Sequence, residues 1–327
     1  MKLQWVRKIC SDGRHNAFTG LGFFDGRWFL AFRNAPGHGG VDSRQMILAS
    51  DDLREWRIAH EYRRPDEPDG TRHDYRDSYL LADGRRLLLY SCATPVRKDG
   101  TRLMTYSQVQ VLRAGSAWGE PQLIAEGKVL WKPIRHGGEF FVAAYSATSD
   151  EGRDLDLLRS ADGLSWERVA RIGAGSETVL HPVSPDELLA LVRTEARPYY
   201  FEFHRSRRPF TKWEKVATIP KIVQGQHLIA ARDAVYLIGR ERPDYRQTAD
   251  PERPSFAQHR VKVWRVRDND LDELLELPSA GDCAYPGAVA QGDGAIVISY
   301  YSRHETPDPG VWKKAMPADI FLACVRA

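Results

Sequence analysis

Five arginines able to hold an anion, Arg33, Arg76, Arg193, Arg240 and Arg303, fall at the ends of apolar runs in this 327-residue chain. Groups able to move protons or attack a carbon lie at similar positions: His38, Asp42, Asp77, Glu177, Glu195, Asp282, Tyr285, His304 and Glu305. A guanidinium is planar, permanently charged and bidentate, which suits a carboxylate. Carboxyl, imidazole and phenol groups supply acid, base and nucleophile. A single arginine at a strand end is more often a surface ion pair than a ligand contact, so only convergence of several on one mouth makes a site. Trp131 offers either a stacking face for a sugar ring or a packing contact between strands.

Groups this scattered meet only if the fold brings repeated strand ends to one place, and the chain does repeat. Tight-turn residues stand between two apolar runs at Asp25-Gly26, Asp83-Gly84, Gly137-Gly138, Pro185-Asp186, Asp233 and Asp293-Gly294. Their spacing of about 50 to 60 residues is near the length of a propeller blade. The runs after the turns, 28–32, 87–90, 140–142, 188–192, 235–238 and 296–300, are almost continuously apolar, as in strands buried on both faces. A more alternating strand follows, and several units close on a Trp after a polar turn, at 50–56, 115–118, 160–166 and 206–213. Ser and Asp hold such turns by bonding nearby backbone, so these positions are structural. The last unit supplies strands near 284–290, 294–301 and 318–325, one short of the rest, and residues 4–9 complete it. The expectation is all-β: a single domain over 1–327, a six-bladed β-propeller whose last blade is closed by the N-terminal strand.

If each blade begins with its innermost strand, the strand starts and the loops after the second strand share one rim, opposite the Trp turns. The starts bring Asn16, Arg76, Asp77, Trp131, Lys132, Glu177, Gln226, His227, Asp282 and Tyr285. The loops add Arg33, His38, Asp42, Arg193, Glu195, Arg240, Arg242, Arg303, His304 and Glu305, and the long segments 93–102, 241–258 and 306–318 belong there too. This rim reads as more polar and richer in arginine than the other, and function concentrates on loops held by a rigid scaffold.

Asn16-Ala17-Phe18-Thr19-Gly20-Leu21, Phe32-Arg33 with His38, Tyr75-Arg76-Asp77, Ser176-Glu177, 281–287 and 299–305 carry a resemblance, with Asp-box-like turns at 50–56 and 160–166. Over nearly its whole length the chain resembles the bacterial sialidases and the sialidase-like repeat (BNR, Asp-box) superfamily. Those enzymes cleave a terminal anionic sugar with a Tyr nucleophile, a Glu that activates it, an acid/base Asp and three arginines on the carboxylate. The resemblance implies Tyr285 as nucleophile, Glu177 as its base, Arg193 and Arg240 as arms of the clamp, and Asp42 or His38 as acid/base group. It places Asp77 in the pocket lining and Glu305, or a neighbour on its loop, against an arginine; the rim itself adds Arg76, Trp131 and Asp282 as binding candidates, with His304 either orienting Glu305 or touching substrate. A phenol of pKa about 10 needs a neighbouring base near neutral pH. The chain departs from the family where an Arg-Ile-Pro motif is usual and Asn16-Ala17-Phe18-Thr19 stands; Arg33, or else Arg14, is the substitute. A missing arm removes charge-assisted hydrogen bonds of about 1.5 to 3 kcal/mol each, which moves the expected substrate from sialic acid toward a uronic acid or another acidic glycan.

The charge balance, 47 basic against 44 acidic residues for a net +3, is spread along the chain and gives no electrostatic case for nucleic acid or membrane binding. Residues 1–8 lack the apolar core of a secretory signal, so the chain as it stands reads as cytoplasmic, with secretion or a periplasmic location the alternative if a signal was removed. Cys10, Cys92, Cys283 and Cys324 have no metal-type spacing and read as reduced, mostly buried thiols; no cofactor or metal is expected. The leading function is an exo-acting glycoside hydrolase on a terminal acidic sugar. A non-catalytic glycan-binding propeller is one alternative, and a uronate-polysaccharide lyase using His38 or His304 with Tyr285 is another. The sugar, the linkage and the oligomeric state stay open.

Overall fold

The turns and buried runs of the sequence become six four-stranded antiparallel sheets, five of them in chain order, in a computed structural model that describes residues 1–39, 41–147, 153–196, 199–242, 258–306 and 316–326. The first blade holds β2 (His15–Phe24), β3 (Arg27–Ala35), β4 (Arg44–Ser50) and β5 (Arg57–Tyr62). The second holds β6 (Arg72–Ala82), β7 (Arg86–Val96), β8 (Tyr106–Arg113) and β9 (Gln122–Glu126), and the third β10 (Lys128–His136), β11 (Glu139–Ser146), β12 (Asp154–Ser160) and β13 (Glu167–Ala174). The fourth is β14 (Ser176–Ser184), β15 (Glu187–Arg193), β16 (Phe201–Arg207) and β17 (Glu214–Ile219). The fifth is β18 (Val223–Ala231), β19 (Ala234–Glu241), β20 (Arg260–Val266) and β21 (Leu271–Leu277). In the sixth, β22 (Ala284–Ala290), β23 (Ala295–Ser302) and β24 (Asp319–Arg326) are completed by β1 (Lys2–Cys10), which pairs antiparallel with β24. The molecule is a six-bladed β-propeller, and no helix occurs among the described residues.

Burial explains the sequence pattern. The second strands are covered by neighbouring blades on both faces: β23 is buried at all eight positions, and β3, β7 and β11 nearly so. The outermost strands β5, β9, β13 and β17 are largely exposed. Trp118 of the second blade packs edge-on to Phe29 of the first at 6.2 Å, and Trp166 of the third meets Tyr90 of the second at 6.4 Å, so these closing tryptophans fill the seams between blades. The expected contrast between the rims is weaker than the sequence suggests, because the Trp-turn face carries its own cleft lined by Arg85, Arg86, Arg113 and Arg135. The central parts of two expected rim loops, 243–257 and 307–315, lie outside the described residues. Cys92, Cys283 and Cys324 are buried, Cys10 is half-buried, and all four are unpaired.

Candidate functional site

Every innermost strand breaks register once near its start. The breaks fall at Ala17/Gly20, Arg76/Tyr79, Trp131/Ile134, Ser176/Val179, Gln224/His227 and Ala284/Gly287. In each blade one residue inside the break has positive φ: Phe18 (59°), Asp77 (56°), Lys132 (49°), Glu177 (41°), Gly225 (60°) and Tyr285 (47°). A bulge of this kind adds an unpaired residue and re-aims its side chain. For a residue with a Cβ the left-handed conformation costs about 1 to 2 kcal/mol, so the surrounding ring must enforce it. The bulges gather at one mouth of the ring: Phe18, Asp77, Glu177 and Tyr285 line the same cavity there, and the Tyr285 ring packs edge-on to Phe18 at 4.9 Å. Gly225 is the position that tolerates no side chain: a Cβ there would lie 2.6 Å from Cδ2 of Tyr285.

The second strands add a matching ring. The residues opposite the last regularly paired position before each bulge are Arg33, Cys92, Ala143, Arg193, Arg240 and Tyr301. The three arginines of the expected clamp therefore occupy equivalent places in blades one, four and five, but their partners send them in different directions. Arg193 Nη1 lies 2.6 Å from Glu177 Oε1 at the cavity. Arg33 is fully buried, with Nε and Nη2 donating to Asp74 Oδ1 at 3.0 and 2.9 Å. Arg240 is buried beneath Tyr285, donating to Gln224 Oε1 at 2.8 Å and to Asp282 Oδ1 at 3.3 Å.

At this mouth lies a cavity of about 730 Å³ lined by Tyr285, Glu177, Arg193, Glu195, Asp77, Arg76, Arg102, Arg153, His38 and Phe18 among others. The Tyr285 hydroxyl donates to Glu177 Oε1 at 2.7 Å, and the Gly225 N–H donates to Glu177 Oε2 at 2.7 Å. Burial pushes the Glu177 carboxyl up, but Arg193, the Gly225 N–H and the phenol together hold it below the usual range. Burial and then Glu177 raise the Tyr285 phenol above its ordinary value, so it parts with its proton only when a base takes it. Asp77 is pushed up to about 6 by burial and by the negative charge of Glu177. Burial pulls Lys132 down to about 7, and its ammonium donates to the Pro286 carbonyl at 2.7 Å.

A second polar cluster lies beside the cavity. Asp282 Oδ2 is hydrogen-bonded to His38 Nδ1 at 2.6 Å and His15 Nε2 at 2.9 Å, while Tyr301 donates to Oδ1 at 2.8 Å. Burial opposes ionisation of Asp282, yet His38 and His15 hold its carboxyl well below the usual range. Atoms of His15, His38 and Asp282 lie within 4.8 Å of one another, a spacing a cation could share. Arg33 Nη1, 3.5 Å from His15 Nδ1, and Arg240 already bring positive charge there, so hydrogen bonding to guanidinium-flanked groups accounts for this geometry.

The structure thus brings Tyr285, Glu177, Arg193, Asp77, Arg76 and His38 to one cavity. Trp131 is buried under the Tyr285 ring at 5.9 Å, a packing wall rather than a sugar platform. Asp42 turns outward to Arg14 and Arg63, at 3.5 and 3.7 Å. Glu305 pairs with Lys8 at 2.6 Å, and His304 packs on Phe321 at 4.5 Å; neither lines the cavity. Arg102 and Arg153 line it although sequence reasoning assigned them nothing; Arg102 lies in an expected rim loop, which was the available signal. Gly225 was detectable only through the phase of the bulge, whereas Lys132 stands where the strand-start reading put it.

No protein-family model matches the chain, and no curated protein sequence does. Solved structures do match. One is a protein of unknown function from Dyadobacter fermentans, with a TM-score of 0.72 and 19% identity over 98% of both chains. Another is Trypanosoma rangeli sialidase in complex with the inhibitor DANA, with a TM-score of 0.68 and 11% identity over 95% of this chain and 55% of the sialidase. A third is an alpha-L-arabinofuranosidase from Fusarium graminearum, with a TM-score of 0.63 and 9% identity over 95% and 93%. The chain has the fold of sialidase and glycosidase propellers. At such identities the likeness is one of fold alone, and this chain spans about half of the sialidase.

Proposed function

We propose that this protein is a retaining, exo-acting glycoside hydrolase in which Tyr285 attacks the anomeric carbon of a terminal sugar and Glu177 takes the phenol proton. The observation that carries this reading is the 2.7 Å hydrogen bond from the Tyr285 hydroxyl to Glu177, at a cavity that Arg193 also lines. A phenol proton held on a carboxylate can transfer as the new C–O bond forms, and Tyr-based retention is a known variant of glycoside hydrolysis.

The preferred substrate carries an acidic group. Arg76, Arg102, Arg153 and Arg193 line the cavity, whereas Arg33 and Arg240 are committed elsewhere. Arg193 links binding to chemistry. In the free enzyme its guanidinium keeps Glu177 a weak base. A substrate carboxylate that draws Arg193 away raises the proton affinity of Glu177 when a base is needed.

The test is an activity screen with aryl glycosides of sialic acid, uronic acids and L-arabinofuranose, followed by trapping with a fluorinated glycosyl fluoride of the sugar that is cleaved. Expected outcomes are a covalent adduct on the Tyr285 peptide by mass spectrometry and a loss of at least about 10³-fold in kcat for Tyr285→Phe. Full turnover by Tyr285→Phe refutes the nucleophile. Binding of acidic sugars without product, or an unsaturated product seen by ultraviolet absorbance, replaces hydrolysis with recognition or elimination.

A further inference from the structure

A retaining hydrolysis needs one more group, which protonates the leaving oxygen and then deprotonates water. The sequence pointed to Asp42 or His38 for it. Asp42 faces Arg14 and Arg63, away from the cavity. We infer that Asp77 is the general acid and base of this reaction, an assignment that rests on the hydrolase reading above.

Position is the first argument. Asp77 occupies in the second blade the bulge place that Glu177 and Tyr285 hold in the fourth and sixth, and its side chain lines the same cavity. Being on an innermost strand it is as rigidly placed as the nucleophile, whereas His38 comes from the loop after β3 and is tied by Nδ1 to Asp282 at 2.6 Å. Surroundings are the second argument. Asp77 faces Glu177, Arg76 and Lys132, accepts a hydrogen bond from the Cys92 thiol at 3.5 Å, and lies near Tyr145 and Tyr285. Burial and Glu177 outweigh Arg76 and Lys132 and push it to about 6, so Asp77 is protonated in mildly acidic solution while Glu177 is ionised. Two carboxyl groups held in opposite protonation states divide acid from base.

The steps balance. In the first, Tyr285 Oη bonds to the anomeric carbon, its proton passes to Glu177, the bond to the leaving oxygen breaks, and the Asp77 proton goes to that oxygen. In the second, the Asp77 carboxylate takes a proton from water as the water oxygen attacks the anomeric carbon. The bond to Tyr285 breaks as that new bond forms, and Glu177 returns the phenol proton.

The experiment compares wild type, Asp77→Ala, Asp77→Asn, His38→Ala and Tyr285→Phe on glycosides of one cleaved sugar, with leaving groups from benzyl alcohol to 2,4-dinitrophenol. Both Asp77 variants are expected to lose about 10²- to 10⁴-fold in kcat/KM on the benzyl glycoside and under about tenfold on the dinitrophenyl glycoside. Azide is expected to raise Asp77→Ala turnover and give a glycosyl azide of retained configuration. The alkaline limb of the wild-type pH profile, near 6, is expected to vanish in both. Asp77→Asn is close to isosteric and keeps the test open if Asp77→Ala does not fold. Equal losses on every leaving group without azide product overturn the assignment, and the leaving-group pattern in His38→Ala instead transfers the role to His38. Full turnover by Tyr285→Phe removes the nucleophile while leaving Asp77 standing. A wild type that cleaves none of the screened glycosides overturns both.

Discussion

The two rims of this propeller use one repeat in opposite ways. On the Trp-turn rim, side chains recur with their jobs: Ser50 and Ser160 accept the N–H three residues on, at 2.9 and 2.8 Å, and Asp52 and Asp162 accept the N–H groups of Arg54 and Leu164, each at 2.8 Å. On the cavity rim the backbone recurs and the side chains do not: one bulge serves all six blades, yet presents Phe18, Asp77, Lys132, Glu177, Gly225 and Tyr285. A side chain that repeats with its turn is holding that turn. A bulged backbone that repeats under six unlike residues is assembling one composite site.

The sharpest way to blur that contrast is Arg33→Met, because Arg33 belongs to the cavity-side ring yet serves structure. It leaves Asp74 buried with only Arg76 and Arg102 near it, at 3.2 and 3.0 Å, and breaking such a pair costs about 3 to 5 kcal/mol, readable as a lower denaturation midpoint in urea. Next comes Asp77→Asn, expected to stabilise the protein by roughly 1 to 3 kcal/mol at pH 8. The folded carboxyl titrates near 6, above its unfolded value, so its favourable contribution is full below pH 4 and is lost as pH rises through 6. The gain over wild type should therefore open between pH 4 and 7, and a gain independent of pH contradicts this. Gly225→Ala is expected to lower kcat at least about tenfold by displacing the Tyr285 ring, since the new Cβ meets it at 2.6 Å. The smallest effect belongs to the other rim: Ser160→Ala should cost about 1 kcal/mol in stability and leave kcat/KM unchanged. Any loss of turnover there joins the two rims functionally.

The blades were legible because their signals are local. Turn residues flanking buried runs, and a last unit short of one strand, are written into neighbouring residues. The meeting of Tyr285, Glu177 and Arg193 follows once strand starts share a rim. The fate of the other polar groups was not legible, since a side chain's direction depends on a partner from another blade. Asp74 of β6 takes Arg33 inward, Asp282 takes Arg240 under Tyr285, and Lys8 of β1 holds Glu305 away. The bulges themselves leave no fixed spacing to the following turn, so Gly225 could not be told from its neighbours by counting.

Where Lys2 faces Arg326 and Cys10 faces Ile320, the ring is latched by its two most distant parts in sequence. A ribosome makes the latch's first half before any of the five other sheets and its second half after all of them. β1 must therefore wait with its edges bare until β24 is made, and a nascent chain that stops short of Asp319 leaves β23 open as well, offering unpaired edges for mispairing between molecules.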